Sequence, residues 1–228
     1  MKQKLLFFLL LGGFVLLSRL NASDIAELSN TKNWELIHNF DDSVRVYQKH
    51  IQNKNLKAYR VSKTTDIDPL ILYSVFENIE NYETVIKSAN NIDFEAIEVQ
   101  GDTIFGYQHI NAPIIKDRHY VYKMIRHNDE AGYAYWRLVD RESRFKEYIA
   151  KKYQRTGKPI YLSNGTGVFQ VKKNNGSNVV SYSLYMDPGG SLPGFLVNMI
   201  NERGLVNMFR DVIKEANRLD NSRGVYGQ

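Results

Sequence analysis

Between residues 44 and 65 the chain alternates apolar and polar positions with a period of two. VRVYQKHI (44–51) and LKAYRVSKTT (56–65) therefore read as two strands joined by a turn at 53–55. The period changes at Asp66-Ile67-Asp68-Pro69. Asp68 suits a helix cap and Pro69 the first helical position. Leu72, Val75, Phe76 and Ile79 then recur at helical spacing, and a second short helix follows to about Lys87. From Asn91 the period of two returns in six runs: IDFEAIEVQ, DTIFGYQHI, DRHYVYKMIR, AGYAYWRLVD, GTGVFQVKK and NVVSYSLYMD. Most of their junctions carry Gly, Asn or Asp, as turns require. Residues 141–159 are polar and fit either a helix or a long loop. Residues 24–38 read as a short amphipathic helix with Ile25, Leu28, Trp34 and Ile37 on one side. The last element, from about 191 to 219, is a long helix with one wide apolar stripe through Leu205, Val206, Phe209, Val212 and Ile213.

The order is helix, two strands, two helices, six strands, long helix. Strands in runs with segregated helices predict an α+β fold on an antiparallel sheet. A single terminal helix lying across a curved sheet leaves room beneath it for either a core or a cavity.

The N-terminus changes the picture of charge and location. Lys2 and Lys4 precede an apolar run of 13 residues, Leu5 to Leu17, and Ala22 follows as the small residue of a cleavage site. The run is short of the roughly 20 residues a membrane span needs, and the pattern is that of a secretory signal peptide over residues 1–22. The alternative is an uncleaved N-terminal anchor. The whole chain carries 30 basic and 25 acidic residues, a net +5. Lys2, Lys4 and Arg19 lie in the leader, which holds no acid, so residues 23–228 carry 27 against 25, a net +2. That is too little to point to a nucleic-acid partner. The chain has no cysteine, which excludes disulfides, thiolate metal sites and a cysteine nucleophile. The five histidines show no ligand spacing, so no metal and no cofactor is expected, and neither a nucleophile elbow nor a phosphate-binding loop occurs.

Two stretches resemble a known family. Tyr185-x-Asp187-Pro188-Gly189-Gly190-x-x-Pro193-x-x-Leu196-Val197-Asn198, followed by the long helix, resembles the C-terminal signature of START domains, the steroidogenic acute regulatory protein-related lipid-transfer domains. Lys116-Asp117-Arg118-His119-Tyr120-Val121-Tyr122 resembles that family's Arg-Asp-Phe-Val strand, with His119 in place of the aspartate and Tyr120 in place of the phenylalanine. Gly165-x-Gly167-Val168-Phe169 is a third, looser similarity. The resemblance covers nearly all of residues 23–228. It implies a helix-grip fold, in which a curved antiparallel sheet wraps a long C-terminal helix and encloses a hydrophobic tunnel for one lipid. It also implies a monomer that binds, and can transfer, a lipid or other hydrophobic small molecule at a transient membrane surface; with the signal peptide, the expectation is an exported, bacterial-type member in the periplasm.

On that reading Pro188, Gly189 and Gly190 form a hinge, and the last helix is a lid. Tyr120, Tyr122 and Met124 share one strand face, as do Tyr182, Leu184 and Met186; these faces, with Tyr107 and His109 from the preceding strand and Leu196 and Met199 from the helix, are the expected ligand-binding residues. The chain has 15 tyrosines, whose apolar rings and polar tips suit a pocket for an amphipathic ligand. Met124 stands where some sterol-binding members have a tunnel arginine, so a phospholipid, a fatty acid or a polyketide-like molecule fits better than a sterol. Pro113, Ile114 and Ile115, with Leu192 and Phe195, are the expected gate and membrane contact. No catalytic residue is expected. The alternatives are a helix-grip cyclase or hydrolase using His109, Tyr107 and Arg118 as acid–base groups, and a lipid sensor without transfer activity.

Overall fold

A computed structural model describes residues 24–226, apart from 52, 53, 55, 90, 113, 114, 129–131, 191 and 193. The expected leader lies outside the described residues. Residues 24–29 are helical (α1) and lead into the strands β1 (Glu35–Asn39), β2 (Arg45–His50) and β3 (Lys57–Thr65). The single helix expected over 24–38 is therefore a shorter helix followed by a strand. The break has a local cause: Asn33 sits at φ 63°, a left-handed conformation that a helix interior does not accommodate.

Helix α2 (Pro69–Glu77) starts as the sequence predicts, with the Asp68 carboxylate accepting from the Leu70 N–H at 2.8 Å and Pro69 in the first turn. A 3₁₀ turn (Ile79–Asn81) and α3 (Tyr82–Val85) follow. Then come β4 (Ile92–Gln100), β5 (Thr103–Ile110), β6 (Arg118–Ile125) and β7 (Ala134–Leu138). The polar segment 141–159 contains α4 (Lys146–Arg155). Strands β8 (Ile160–Tyr161), β9 (Gly165–Asn174) and β10 (Ser177–Met186) precede α5 (Gly194–Tyr226). Helix α5 thus runs about two turns beyond the end that its apolar stripe marks.

The ten strands form one curved sheet in the order β1-β2-β3-β10-β9-β7-β6-β5-β4, antiparallel except for β8, which pairs parallel with β6. The main core lies between the inner face of this sheet and α2, α3 and α5. Leu205, Val206, Phe209, Val212 and Ala216 of α5 are all buried there. Each of the four larger side chains contributes roughly 1.5–3 kcal/mol by leaving water, which fixes the middle of α5 to the sheet. The outer face is covered twice. Ile25 and Leu28 of α1 pack on Ala58, Val168 and Tyr185. Phe145 and Ile149, before and within α4, pack on Tyr107 and Val121. Buried Arg60 ties α1 down: it donates to the Leu28 carbonyl at 2.5 Å, the Asn30 carbonyl at 2.8 Å and Ser183 Oγ at 2.8 Å, and its guanidinium lies 4.2 Å from the Trp34 ring centre.

Candidate ligand cavity

A cavity of about 340 Å³ opens between the inner face of β4–β7 and β10 and the helical layer above it. Its place follows from side-chain size. Across β5 and β6, Gly106 lies directly opposite Tyr122, and across β7 and β9, Trp136 lies opposite Gly167. The aromatic rings lie flat over the glycines, so close that a Cβ on Gly106 would stand 2.4 Å from the Tyr122 ring and one on Gly167 2.5 Å from the Trp136 indole nitrogen. Rings folded down onto the sheet leave space above them. On the opposite side α5 presents Gly204, exposed at the cavity's mouth, whose missing side chain would meet nothing within 4 Å.

Tyr120, Tyr122 and Met124 of β6 and Tyr182, Leu184 and Met186 of β10 line this cavity. Tyr107 and His109 do not. They lie on the outer face of β5, and the inner-facing residues are Gln108 and Ile110. The Tyr107 hydroxyl meets His119 Nδ1 at 3.3 Å beneath α4. His109 links two carboxylates, with Nδ1 3.1 Å from Asp93 and Nε2 3.1 Å from Asp117. Asp117 also accepts from the Ala112 N–H at 3.0 Å, so His109 and Asp117 anchor the loop between β5 and β6 rather than a ligand. Within that loop Ile115 is half-buried, and Pro113 and Ile114 lie outside the described residues. The side chains of Phe195, Leu196 and Met199 also lie outside the description, although their backbone is helical; Leu192 is half-buried just before the helix.

The cavity wall is mostly apolar, with a few polar atoms. The Tyr120 hydroxyl donates to Gln108 Oε1, and the Trp136 Nε1–H donates to the Tyr182 oxygen at 2.9 Å. The Tyr82 hydroxyl donates to the Phe76 carbonyl. The Tyr122 hydroxyl is buried with no partner among the described residues. Burial pushes the phenols of Tyr82, Tyr120, Tyr122 and Tyr182 above their ordinary pKa, and neighbouring tyrosines add to the effect on the first three. All four therefore keep their protons at neutral pH and remain donors. Among the described lining residues there is no Asp, Glu, Lys, Arg or His. Sequence reading missed Gln108, Trp136 and Gly204. The glycines facing aromatic positions were its available signal.

The rim is polar. Ser88, from the segment after α3, donates through its N–H and hydroxyl to Asp211 of α5 at 2.8 and 2.6 Å. Asn91 donates to the Asn111 carbonyl at 2.9 Å. After β10, Gly189 and Gly190 hold φ of 64° and 73°, a region glycine enters without penalty. Asp187 stabilises the turn by accepting from the Gly189 N–H at 2.9 Å. Buried Arg118 clasps this turn, donating to the Pro188 carbonyl at 3.1 Å, to the Gly189 carbonyl at 3.3 Å and to the Lys116 carbonyl. It is a latch on the hinge and does not line the cavity. Arg118→Met keeps the stem and removes the donors; it should cost roughly 1.5–3 kcal/mol and raise amide exchange across residues 187–190 at least about tenfold. Unchanged exchange there would refute the latch.

No protein-family model matches the sequence, and no curated protein matches it. Solved structures do. The fold is similar to the STAR-related lipid transfer protein of Xanthomonas axonopodis, with TM-score 0.64 and 16% identity over 82% of this chain and 99% of that one. It is similar to human StAR-related lipid transfer protein 5, with TM-score 0.64 and 13% identity over 90% and 97% of the two chains. It is also similar, at TM-score 0.50 and 11% identity, to the Zhui aromatase/cyclase from Streptomyces, over 71% of this chain and 93% of that one. At such identities the likeness establishes the fold, which is the START-like helix-grip.

Proposed function

We propose that this chain binds one hydrophobic small molecule in the cavity beneath α5, leaves it chemically unchanged, and carries it between membrane surfaces. The observation that carries the reading is the cavity itself: about 340 Å³, within the range of small-molecule sites, walled by aromatic and aliphatic side chains and bordered by a helix. The lipid-transfer proteins that share the fold support it. The uncharged lining favours binding over catalysis, because no described residue there offers the acid and base that proton transfer needs.

The signal-like leader would place the protein in the periplasm, where it would meet its cargo as a monomer. Release would follow from separating α5 from the rim. The Ser88–Asp211 contact and the hinge at 188–190 then act as the two ends of the gate, with Ile115 and Leu192 near the membrane.

Gly204 supplies the test. Glycine inside a helix costs roughly 0.5–1 kcal/mol relative to alanine, and Gly204 is an exposed residue bordering the cavity's mouth. Gly204→Phe should therefore fold at least as stably as the parent and block the mouth against the ligand. Native mass spectrometry of both proteins, purified from an exported compartment, should find a stoichiometric apolar molecule on the parent and none on the variant. Equal occupancy in both would overturn the site. A change in the mass of the bound molecule on incubation would overturn the non-enzymatic part.

A further inference from the structure

The hydrogen-bond inventory of the cavity wall leaves donors without acceptors. Gln108 has two N–H donors, and its oxygen already accepts from Tyr120. Exchanging the amide oxygen and nitrogen does not remove the surplus: Gln108 would then donate once to Tyr120, leaving one amide N–H and the Tyr120 O–H free. The Tyr182 oxygen accepts from Trp136, which leaves its own proton without an acceptor among the described residues. The Tyr122 hydroxyl has no partner among the described residues, but its oxygen is packed against Gly106 and closed off from the cavity. Two side chains, Gln108 and Tyr182, thus hold unused donors on the wall of one apolar space. An unmatched buried donor is costly, and a ligand acceptor that reaches it recovers that cost.

The charge inventory narrows the class further. With no cation among the described lining residues, a carboxylate or phosphate would enter without a counter-charge, which burial penalises heavily. The volume of about 340 Å³ lies near the lower end of small-molecule sites, roughly 300–1,000 Å³, and suits one compact molecule.

From the unused donors of Gln108 and Tyr182 around an uncharged apolar cavity, we infer that the ligand is a compact neutral molecule whose buried polar group is a hydrogen-bond acceptor, such as a ketone, ester or quinone. This rests on the reading of the cavity as a binding site. It separates that site from one built for a free fatty acid, whose carboxylate would be the buried group.

Three probes of one skeleton test it: 2-acetylnaphthalene, 2-ethylnaphthalene and 2-naphthoate, each titrated by calorimetry into the full chain, Tyr122→Phe and Gln108→Leu. Tyr122→Phe removes a hydroxyl that has no partner among the described residues and does not face the cavity, so it is the control: its melting temperature should equal or exceed the parent's and its affinities should match the parent's. The ketone should bind the parent at least about tenfold more tightly than the carboxylate. In Gln108→Leu the ketone should weaken about fivefold or more while the hydrocarbon holds its affinity. The infrared carbonyl stretch of the bound ketone should shift from its hydrogen-bonded position toward the free one. Tightest binding of naphthoate overturns the inference, as does an unshifted carbonyl with equal ketone affinity in all three proteins. If the hydrocarbon still binds and Gly204→Phe still blocks it, the cavity stands and only the donor argument falls. If none of the three binds, the cavity reading falls too.

Discussion

Gly167→Ala should lower the stability of this protein by about 2–6 kcal/mol, although it adds one methyl group to a strand. The new Cβ would lie 2.5 Å from Trp136 Nε1 and 2.7 Å from Cε2, so the indole must move. Forcing extra volume into a packed site costs roughly 1–3 kcal/mol. Moving the indole also breaks its bond to the Tyr182 oxygen, and a buried donor left without an acceptor costs roughly another 1–3 kcal/mol. Urea denaturation measures the sum, and the near-ultraviolet circular dichroism of the indole should change with it. Gly204→Ala is the counterpart. Its Cβ meets nothing, so the helix-propensity gain of roughly 0.5–1 kcal/mol should appear undiminished. Loss of stability at both glycines, or at neither, would show that the space around them is not what sets the sign.

The same pair of glycines shows what could be read from the chain in advance. Gly165-x-Gly167 was visible only as a loose similarity, because its purpose lies in the register that sets Gly167 against Trp136 across two strands. Local chemistry was legible wherever it decided the outcome. The Asp68 cap, the strand alternation and the apolar stripe of α5 all depend on neighbours in sequence. Face assignment on β5 was not legible, and Tyr107 and His109 were placed on the wrong side. In a sheet with one wet face, hydrophobic alternation tells inside from outside. Here Tyr107, Gln108 and His109 are all buried, because α4 and the β5–β6 loop cover the outer face while the cavity layer covers the inner one. A strand covered on both sides loses the alternation that marks its faces. Helix α4 was ambiguous for the matching reason: it buries chiefly Ile149 and leaves the rest of its surface polar. Strand β1 was absorbed into a helix because Trp34 and Ile37 fall at a spacing that suits either reading.

The outer face that misled the alternation carries the second large effect, which is acid lability. His119 is fully buried beneath α4, its Nδ1 facing the Tyr107 hydroxyl at 3.3 Å and its Nε2 without a partner. Burial, with smaller contributions from His109 and Arg141, depresses its pKa from 6.5 to about 4. The folded protein therefore refuses a proton that the unfolded chain accepts. Its contribution is fully present above pH 6.5 and is lost as pH falls from there to about 4. At about 1.4 kcal/mol per pKa unit the loss is on the order of 3 kcal/mol. The carboxylates that Arg210, Lys152 and Arg218 bond, Asp42, Glu95 and Glu215, are held below their ordinary values of 3.8 and 4.5, so their share is lost mainly at lower pH. Unfolding free energies at pH 7.5, 6, 5 and 4.5 should thus fall steeply in the parent. In His119→Phe, which keeps an aromatic ring among Tyr107, Tyr153 and Tyr161, the fall over the same interval should shrink by more than half. A variant as acid-sensitive as the parent would mean that another group titrates on unfolding in this range, and that the buried imidazole does not govern the stability of the outer layer.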